Sequence, residues 1–231
     1  ERLRDRKFTQ FHRGHAILSE QNISRELIHE RLRLVGEWYK NNVIDGEVTF
    51  EYSPFTKKYS NQKRSMVRST MSVWVLNKLA YYLDDPELKE LGRQTIRFYL
   101  ERYFQIEDSL KAGKIIPSPK PLVRGDLVKN RYTTASFMAA ALLARDDYQD
   151  YINEIDLLND WMESFQKKDG VFWTQNAESQ YFMPGQLLLS TAINYSKTKR
   201  PELKAFFDRS YETYEKAFYQ MMYLGNTTYT P

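Results

Sequence analysis

The sequence contains no cysteine and only three histidines among its 231 residues. The absence of cysteine excludes a disulfide framework, thiol catalysis and thiolate metal sites, and no apolar run reaches the roughly 18–20 residues that a membrane span needs. His12 and His15 are three residues apart, but no further ligand stands near them, so no metal and no cofactor is expected. Neither Gly-x-Gly-x-x-Gly nor the Walker pattern is present, which argues against nucleotide binding.

Charge of one sign is also scarce, since 34 Lys and Arg stand against 30 Asp and Glu for a net charge of +4. Nucleic-acid binding needs a one-signed patch, and because the nearest candidates are only Arg2–Lys7 and Lys57–Arg68, no nucleic-acid partner is expected. The 42% of hydrophobic residues suffice for one core in a chain of this length. The 17 Tyr against 13 Phe and 4 Trp favour half-buried rings with a hydrated hydroxyl.

Helix signals dominate the chain. Apolar periodicity and end signals predict seven helices, at residues 24–42, 63–83, 86–105, 133–144, 151–166, 184–196 and 201–223. The apolar side predicted for the first comprises Leu27, Leu32, Leu34, Val35 and Trp38. That of the second comprises Val67, Met71, Val75 and Leu79, widened by Trp74 and Leu76. Helix 133–144 is apolar all round and is expected to be buried on every side. Residues 107–131 form one long break, in which three closely spaced prolines exclude a helix at 117–121.

The predicted helices pair, and the pairs repeat. The segments 85–89 (Asp-Pro-Glu-Leu-Lys) and 200–204 (Arg-Pro-Glu-Leu-Lys) both lie between an apolar and an amphipathic helix, two repeats of roughly 57 residues apart. This spacing predicts three stacked helical hairpins preceded by a lone helix, with the more apolar helices in an inner layer. The turns Asp45-Gly46 and Asp169-Gly170 predict brief strands near 47–52 and 171–173.

Two motifs accompany these turns. The first is Asp-Gly-x-Phe-x-Tyr-x-Tyr-x-Pro before a helix with Val-Arg, and it is matched by Asp45, Gly46, Val48, Phe50, Tyr52, Pro54, Val67 and Arg68. The second is Gln-x-x-Asp-Gly-x-Phe followed by Tyr-Tyr-Pro-Gly-Glu, and it is matched by Gln166, Asp169, Gly170, Phe172, Tyr181, Phe182, Pro184, Gly185 and Gln186. In these motifs and their order, roughly residues 30–230 resemble an uncharacterised branch of the bacterial α,α-toroid, or six-hairpin glycosidase-like, superfamily.

The resemblance implies an all-α fold: an α/α toroid-like array of antiparallel helical hairpins, an incomplete ring of about seven main helices with short rim strands. Residues 1–23 are then expected to be an N-terminal extension and residues 24–231 the toroid domain, as part of a longer protein. The superfamily includes glycoside hydrolases, sugar epimerases and the helical domains of polysaccharide lyases. The resemblance therefore implies a domain that acts on or binds a polysaccharide or oligosaccharide, an acidic one included, and a location in the cell envelope.

Gln186 departs from the pattern, which has a titratable Glu after Pro-Gly. This departure and the incomplete ring keep open a second hypothesis, a non-catalytic domain that binds a glycan or another protein domain in an envelope assembly. Catalysis on a glycosidic bond needs two facing carboxylates. Glu51 and Glu178 are the candidate pair, and each has the alternative of a solvent-exposed charge. The other rim carboxylates are Glu47, Asp126 and Asp169, of which Asp169 is also explained as part of a helix-ending turn.

The candidate substrate-binding residues combine cations, rings and an amide. Arg64 and Arg68 share a helix face and suit a uronate or sulfate; the alternative is an ion pair with a rim carboxylate. Tyr52, Trp173, Tyr181 and Gln186 complete the candidate site, and the remaining rim rings are Tyr59, Tyr132 and Phe182. Each ring is suited either to stacking on a sugar or to packing at the rim. Because helix N-termini favour anions, we expect Tyr52, Arg68 and Tyr181 to converge on a cleft that prefers acidic glycans.

Overall fold

In the computed structural model, the structure describes residues 20–60, 65–107, 112–115, 131–174 and 178–223. This part of the chain is mostly helical, which confirms the predicted class. Its helices are α1 (Arg25–Asn42), α2 (Met66–Leu83), α3 (Pro86–Tyr103), α4 (Arg131–Leu143), α5 (Ile152–Glu163), α6 (Met183–Thr198) and α7 (Pro201–Tyr223). Its strands form three antiparallel hairpins: β1 (Val43–Ile44) with β2 (Glu47–Val48), β3 (Glu51–Ser53) with β4 (Lys58–Ser60), and β5 (Phe104–Glu107) with β6 (Ala112–Ile115). No described helix is both long and apolar enough to span a bilayer.

The helix ends follow from local chemistry. The side chain of Ser24 accepts a hydrogen bond of 3.1 Å from the Leu27 amide and so caps α1. Asp85 caps α3 by accepting from the amides of Glu87 and Leu88, and Pro86 occupies the first helical position, where no amide hydrogen is needed. These signals explain why the starts of α1 and α3 were predictable to within one residue.

Helices α2, α4 and α6 pack side by side with α4 in the middle, and we call these three helices the inner layer. In the first halves of α4 and α6, the Ser136 hydroxyl donates to the carbonyl oxygen of Gln186 at 2.6 Å, and Trp74, midway along α2, stacks on Phe137. Every residue from 133 to 143 is buried, so the prediction that this helix is enclosed on all sides is confirmed. The returning helices α3 and α5 therefore join consecutive inner helices, as the predicted hairpins require.

The two Asp-Gly turns make equivalent contacts in two units of the chain. Gly46 has φ +81°, and a Cβ added there would lie 2.9 Å from the Phe98 Cβ on α3. Gly170 has φ +84°, and a Cβ there would lie 2.2 Å from the Arg209 carbonyl oxygen on α7. In each unit the turn precedes an inner helix and packs on the outer helix that follows it. The repeat predicted from the sequence therefore extends to these backbone contacts.

A fully buried arginine joins the other ends of the inner helices. Arg145 follows α4, is 0% exposed and holds Asp147 by two hydrogen bonds of 2.6 Å. It also donates to the Oδ1 atom of Asn77 on α2, and its own carbonyl oxygen accepts from Lys197 on α6 at 3.4 Å. Residues in the second halves of α2 and α6 therefore meet the end of α4, which agrees with a parallel direction of the three helices.

Two helix faces were predicted only in part, and one predicted loop is wrong. In α1, Leu34, Val35 and Trp38 are exposed, and the helix instead packs through Gly36, Tyr39 and Asn42. In α2, the predicted Leu76 and Leu79 are buried, but Met71 and Val75 are exposed, and Val73 and Ala80 enter the core instead. The prediction failed because both helices carry apolar residues on more than one face, so periodicity alone did not identify the packed face. The hairpin β5–β6 lies where a break without strands was predicted.

Candidate functional site

An open cleft of about 310 Å³ lies between the first two β-hairpins and α3. It is small for a ligand pocket but large enough for a compact polar molecule. Two carboxylates, two hydroxyls, one guanidinium and two aromatic rings reach it, together with one aliphatic side chain. The lining residues are Ile44, Asp45, Glu47, Thr49, Tyr59, Ser60, Phe98 and Arg102.

The floor of the cleft is held by the β1–β2 turn. Asp45 and Gly46 both have positive φ, at 51° and 81°, which is the backbone form of a tight two-residue hairpin. Directly after β2, the amide and the hydroxyl of Thr49 both donate to the Asn42 carbonyl oxygen at 2.9 Å. The Asn42 side chain in turn donates to the Trp38 carbonyl oxygen at 2.7 Å. Asp45, Glu47 and Thr49 are therefore carried on a backbone tied to the end of α1.

An aromatic pair borders the cleft. Tyr52 and Tyr59 are cross-strand partners in the β3–β4 hairpin, with ring centres 4.9 Å apart. Each ring is about half exposed, at 50% and 46%. Rings of this kind present an apolar face with a hydroxyl at its edge. Such an arrangement suits the C–H face of a sugar, whose hydroxyls then meet the polar lining.

The guanidinium of Arg102 is the cation of the cleft. It lies 5.5 Å from the ring centre of Phe98 and 5.9 Å from that of Tyr103, within the range of cation–π attraction. Packing against two rings restricts its position while leaving the residue exposed. With Asp45 and Glu47 present, the lining carries two negative charges and one positive charge. The cleft itself is therefore acidic, which favours a neutral or amino-bearing ligand.

The described structure does not test the predicted catalytic pair, because one of its two side chains lies outside the described residues. Glu51 is exposed at the base of the β3–β4 hairpin, opposite Ser60. Glu178 begins a short 3-10 helix that ends at Tyr181, and its side chain lies outside the described residues. Arg64 and Asp126 also lie outside them, as does the side chain of Tyr132. Pairing of Glu51 with Glu178 stays a prediction.

The remaining predicted residues lie at the start of the inner helices. Arg68 is exposed in the first turn of α2. Trp173, shortly after the Asp169-Gly170 turn, and Tyr181, just before α6, are also exposed. Among the described residues, no hydrogen bond, ion pair or ring contact joins Arg68 with Tyr52 or Tyr181. The expected convergence of these three residues therefore has no contact to support it.

Two buried polar atoms mark the same end of the inner layer. The Thr133 hydroxyl of α4 and the Oε1 atom of Gln186 in α6 are buried and make no hydrogen bond within the described structure. Because unsatisfied buried polar atoms are costly, we consider this end of the inner layer a second candidate site for a polar ligand. It is the alternative to the cleft.

Two carboxylates with raised pKa values, Asp160 and Glu163, lie on α5. Burial raises the pKa of Glu163 in α5, and the negative charges of Asp160 and Glu202 raise it further. Nearby, Arg200 and Asp156 form an ion pair of 2.7 Å that links α5 to the start of α7. Within the described ranges, no group of three acidic or imidazole side chains is placed to hold a metal ion. We assign this cluster a structural role in joining the two helices.

The sequence analysis missed Phe98 and Arg102. They lie one turn apart in α3, so helical spacing places them on one face. The signal that was available is the Asp45-Gly46 turn, because a glycine without Cβ permits a tight turn and a close approach to another element. Only the tertiary structure shows that the approached element is this part of α3.

No protein-family model matches the chain, and no curated protein or solved structure matches it either.

Proposed function

We propose that this protein binds a glycan in the cleft between its first two hairpins and α3. The observation that carries the proposal is the position of the exposed Tyr52–Tyr59 pair beside a lining of carboxylates, hydroxyls and one guanidinium. A sugar has an apolar C–H face and a belt of hydroxyls, and the cleft offers a partner to each. The resemblance to the α,α-toroid superfamily supports a carbohydrate ligand by analogy alone. The arrangement of the helical hairpins as part of a toroid belongs to the same proposal.

The charge of the lining gives the proposal a direction. Because Asp45 and Glu47 outnumber Arg102, an amino-bearing or neutral oligosaccharide should bind the cleft better than an acidic one. The sequence analysis favoured an acidic glycan bound through Arg64 and Arg68. The two hypotheses place the ligand on different side chains and predict opposite charge preferences.

Calorimetric titration with neutral, amino-bearing and acidic oligosaccharides of equal length tests the proposal. Tyr59→Ala should weaken binding by roughly tenfold or more, because a stacked ring loses its buried apolar contact. Tyr59→Phe keeps the ring and should bind nearly as well. Tyr211→Ala on α7 is a matched control, since that ring is 48% exposed and lies on a different element. Equal losses for Tyr59→Ala and Tyr211→Ala, or no binding of any glycan, would refute the proposal.

A catalytic role as hydrolase, lyase or epimerase is the second candidate. The observation that favours it is that two carboxylates, Asp45 and Glu47, line the same cleft, since glycosidic bond cleavage requires a carboxylate pair. Chromatography of a bound oligosaccharide after long incubation distinguishes the candidates. Shortened or isomerised products that disappear with Asp45→Asn or Glu47→Gln indicate catalysis. An unchanged oligosaccharide indicates a binding domain, the alternative raised by Gln186.

A further inference from the structure

The β3–β4 hairpin exposes an aromatic ring at its tip. Phe55 is 97% exposed, so burial of its side chain contributes almost nothing to the stability of the fold. The preceding Pro54 restricts the backbone, the Thr56 amide donates to the Ser53 hydroxyl at 3.4 Å, and Lys57 has φ +54°. The turn is therefore shaped by local contacts that leave the ring in solvent.

The charges around this ring have one sign. Lys57 and Lys58 are both exposed, and the only carboxylate of the hairpin, Glu51, lies at its base, opposite Ser60. The half-exposed tyrosine pair lies between the tip and the body of the protein. Along the hairpin the order is thus an apolar tip, then two cations, then amphipathic rings.

This order matches the layers of a lipid surface. Aromatic and aliphatic side chains enter the boundary between headgroups and acyl chains, lysines extend to the phosphates of anionic lipids, and tyrosines are favoured at the level of the headgroups. A convex tip with a single ring offers no groove for a peptide, whereas a fluid headgroup layer closes around it. We propose that the β3–β4 hairpin docks the protein reversibly on anionic lipid membranes through Phe55, Lys57 and Lys58.

Sedimentation with lipid vesicles tests this docking. The full chain should bind vesicles containing phosphatidylglycerol and bind vesicles of phosphatidylcholine alone far more weakly. Phe55→Ser should lower the partition coefficient about tenfold or more, and the double change Lys57→Glu and Lys58→Glu about 30-fold or more. High salt should weaken binding of the unchanged protein, because the lysine contribution is screened.

Matched controls distinguish binding through the hairpin from non-specific adsorption of the protein to vesicles. Leu34→Ser removes an exposed apolar residue from α1, and Lys167→Glu with Lys168→Glu reverses another exposed pair of adjacent lysines. Both should bind vesicles as the unchanged protein does, and circular dichroism should show that every variant remains helical. Equal losses in the controls, or equal binding to both vesicle types, would overturn the proposal. Tighter binding to single-stranded RNA than to anionic vesicles would overturn it in favour of a nucleic-acid surface.

The docking does not depend on the glycan site. Phe55→Ser should lose vesicle binding while keeping any affinity for oligosaccharides, since Phe55 does not line the cleft. Tyr59→Ala tests the cleft and is left out of the vesicle comparison because Tyr59 belongs to both surfaces. Failure of one proposal therefore leaves the other measurable.

Discussion

Arg145 and Asn77 are 68 residues apart in the chain, yet the guanidinium Nη1 of one donates to the amide Oδ1 of the other at 3.0 Å. The Asn77 side chain also lies against Gly92 of α3, where an added Cβ would be 2.5 Å from the same Oδ1 atom. Together with Asp147, these residues connect α2, α3 and the end of α4. Because these polar groups are buried, each needs the others to satisfy its hydrogen bonds.

The ion pair of Arg145 predicts a specific loss of stability. Asp147→Asn leaves the buried guanidinium without its carboxylate, and breaking a buried pair costs about 3–5 kcal/mol. Because the Asp147 side chain is 33% exposed, we expect about 3 kcal/mol, the lower end of that range. Urea unfolding measures the loss. Asp146→Asn removes an exposed neighbouring carboxylate and should change the free energy of unfolding by less than about 0.5 kcal/mol.

The same pair predicts a pH dependence. The hydrogen bonds from Arg145 lower the pKa of Asp147 in the folded state, whereas the unfolded value is about 3.9. The stabilisation is therefore complete above the unfolded pKa and disappears as pH falls through the lower folded pKa. Urea unfolding of the unchanged protein and Asp147→Asn should differ by a constant amount from neutral pH to about pH 5 and converge in stronger acid. A difference that stays constant down to about pH 2 would contradict this cause.

The glycines of the two turns should differ sharply from a helical glycine. Gly170→Ala places a Cβ 2.2 Å from the Arg209 carbonyl oxygen at positive φ, so we expect a loss of about 2–4 kcal/mol. Gly46→Ala meets softer contacts, near 2.9 and 3.0 Å, and should cost about 1–3 kcal/mol. Gly185→Ala has no neighbour within 4 Å and should be neutral or stabilising by up to about 1 kcal/mol. Thermal unfolding of the three variants should show the largest loss of stability for Gly170→Ala, a smaller one for Gly46→Ala and none for Gly185→Ala.

Two arginines distinguish the possible positions of a glycan. Arg102 lines the cleft and Arg68 lies at the start of α2. If the ligand occupies the cleft, Arg102→Ala should change its affinity and Arg68→Ala should leave it within about twofold, with the helical signal intact in both. Calorimetry with the panel of oligosaccharides measures both. A larger loss for Arg68→Ala, with a preference for acidic glycans, would instead place the ligand at the N-terminal ends of the inner helices.

Parts of the candidate site could be predicted from the sequence, because the signals for them lie within short segments of the chain. Tyr52 and Tyr59 lie in the segment between the first two predicted helices, which placed them among the rim rings. Glu47 was recognised as a rim carboxylate for the same reason. Arg102 and Phe98 looked like ordinary members of an amphipathic helix, because nothing in α3 indicates that a hairpin 50 residues earlier packs against it. Their role depends on a contact between distant segments.

By itself, the sequence determined the helical class, the ends of most helices, the enclosure of α4 and the equivalence of the two Asp-Gly turns. These features arise from capping, proline and glycine geometry and apolar composition, which act over one or two turns of the chain. Only the tertiary structure decided which face of α1 and α2 is packed, how Arg145 is satisfied, and which side chains share the cleft. Those outcomes depend on competition among several apolar faces and on pairing across tens of residues, and short-range patterns carry no information about either.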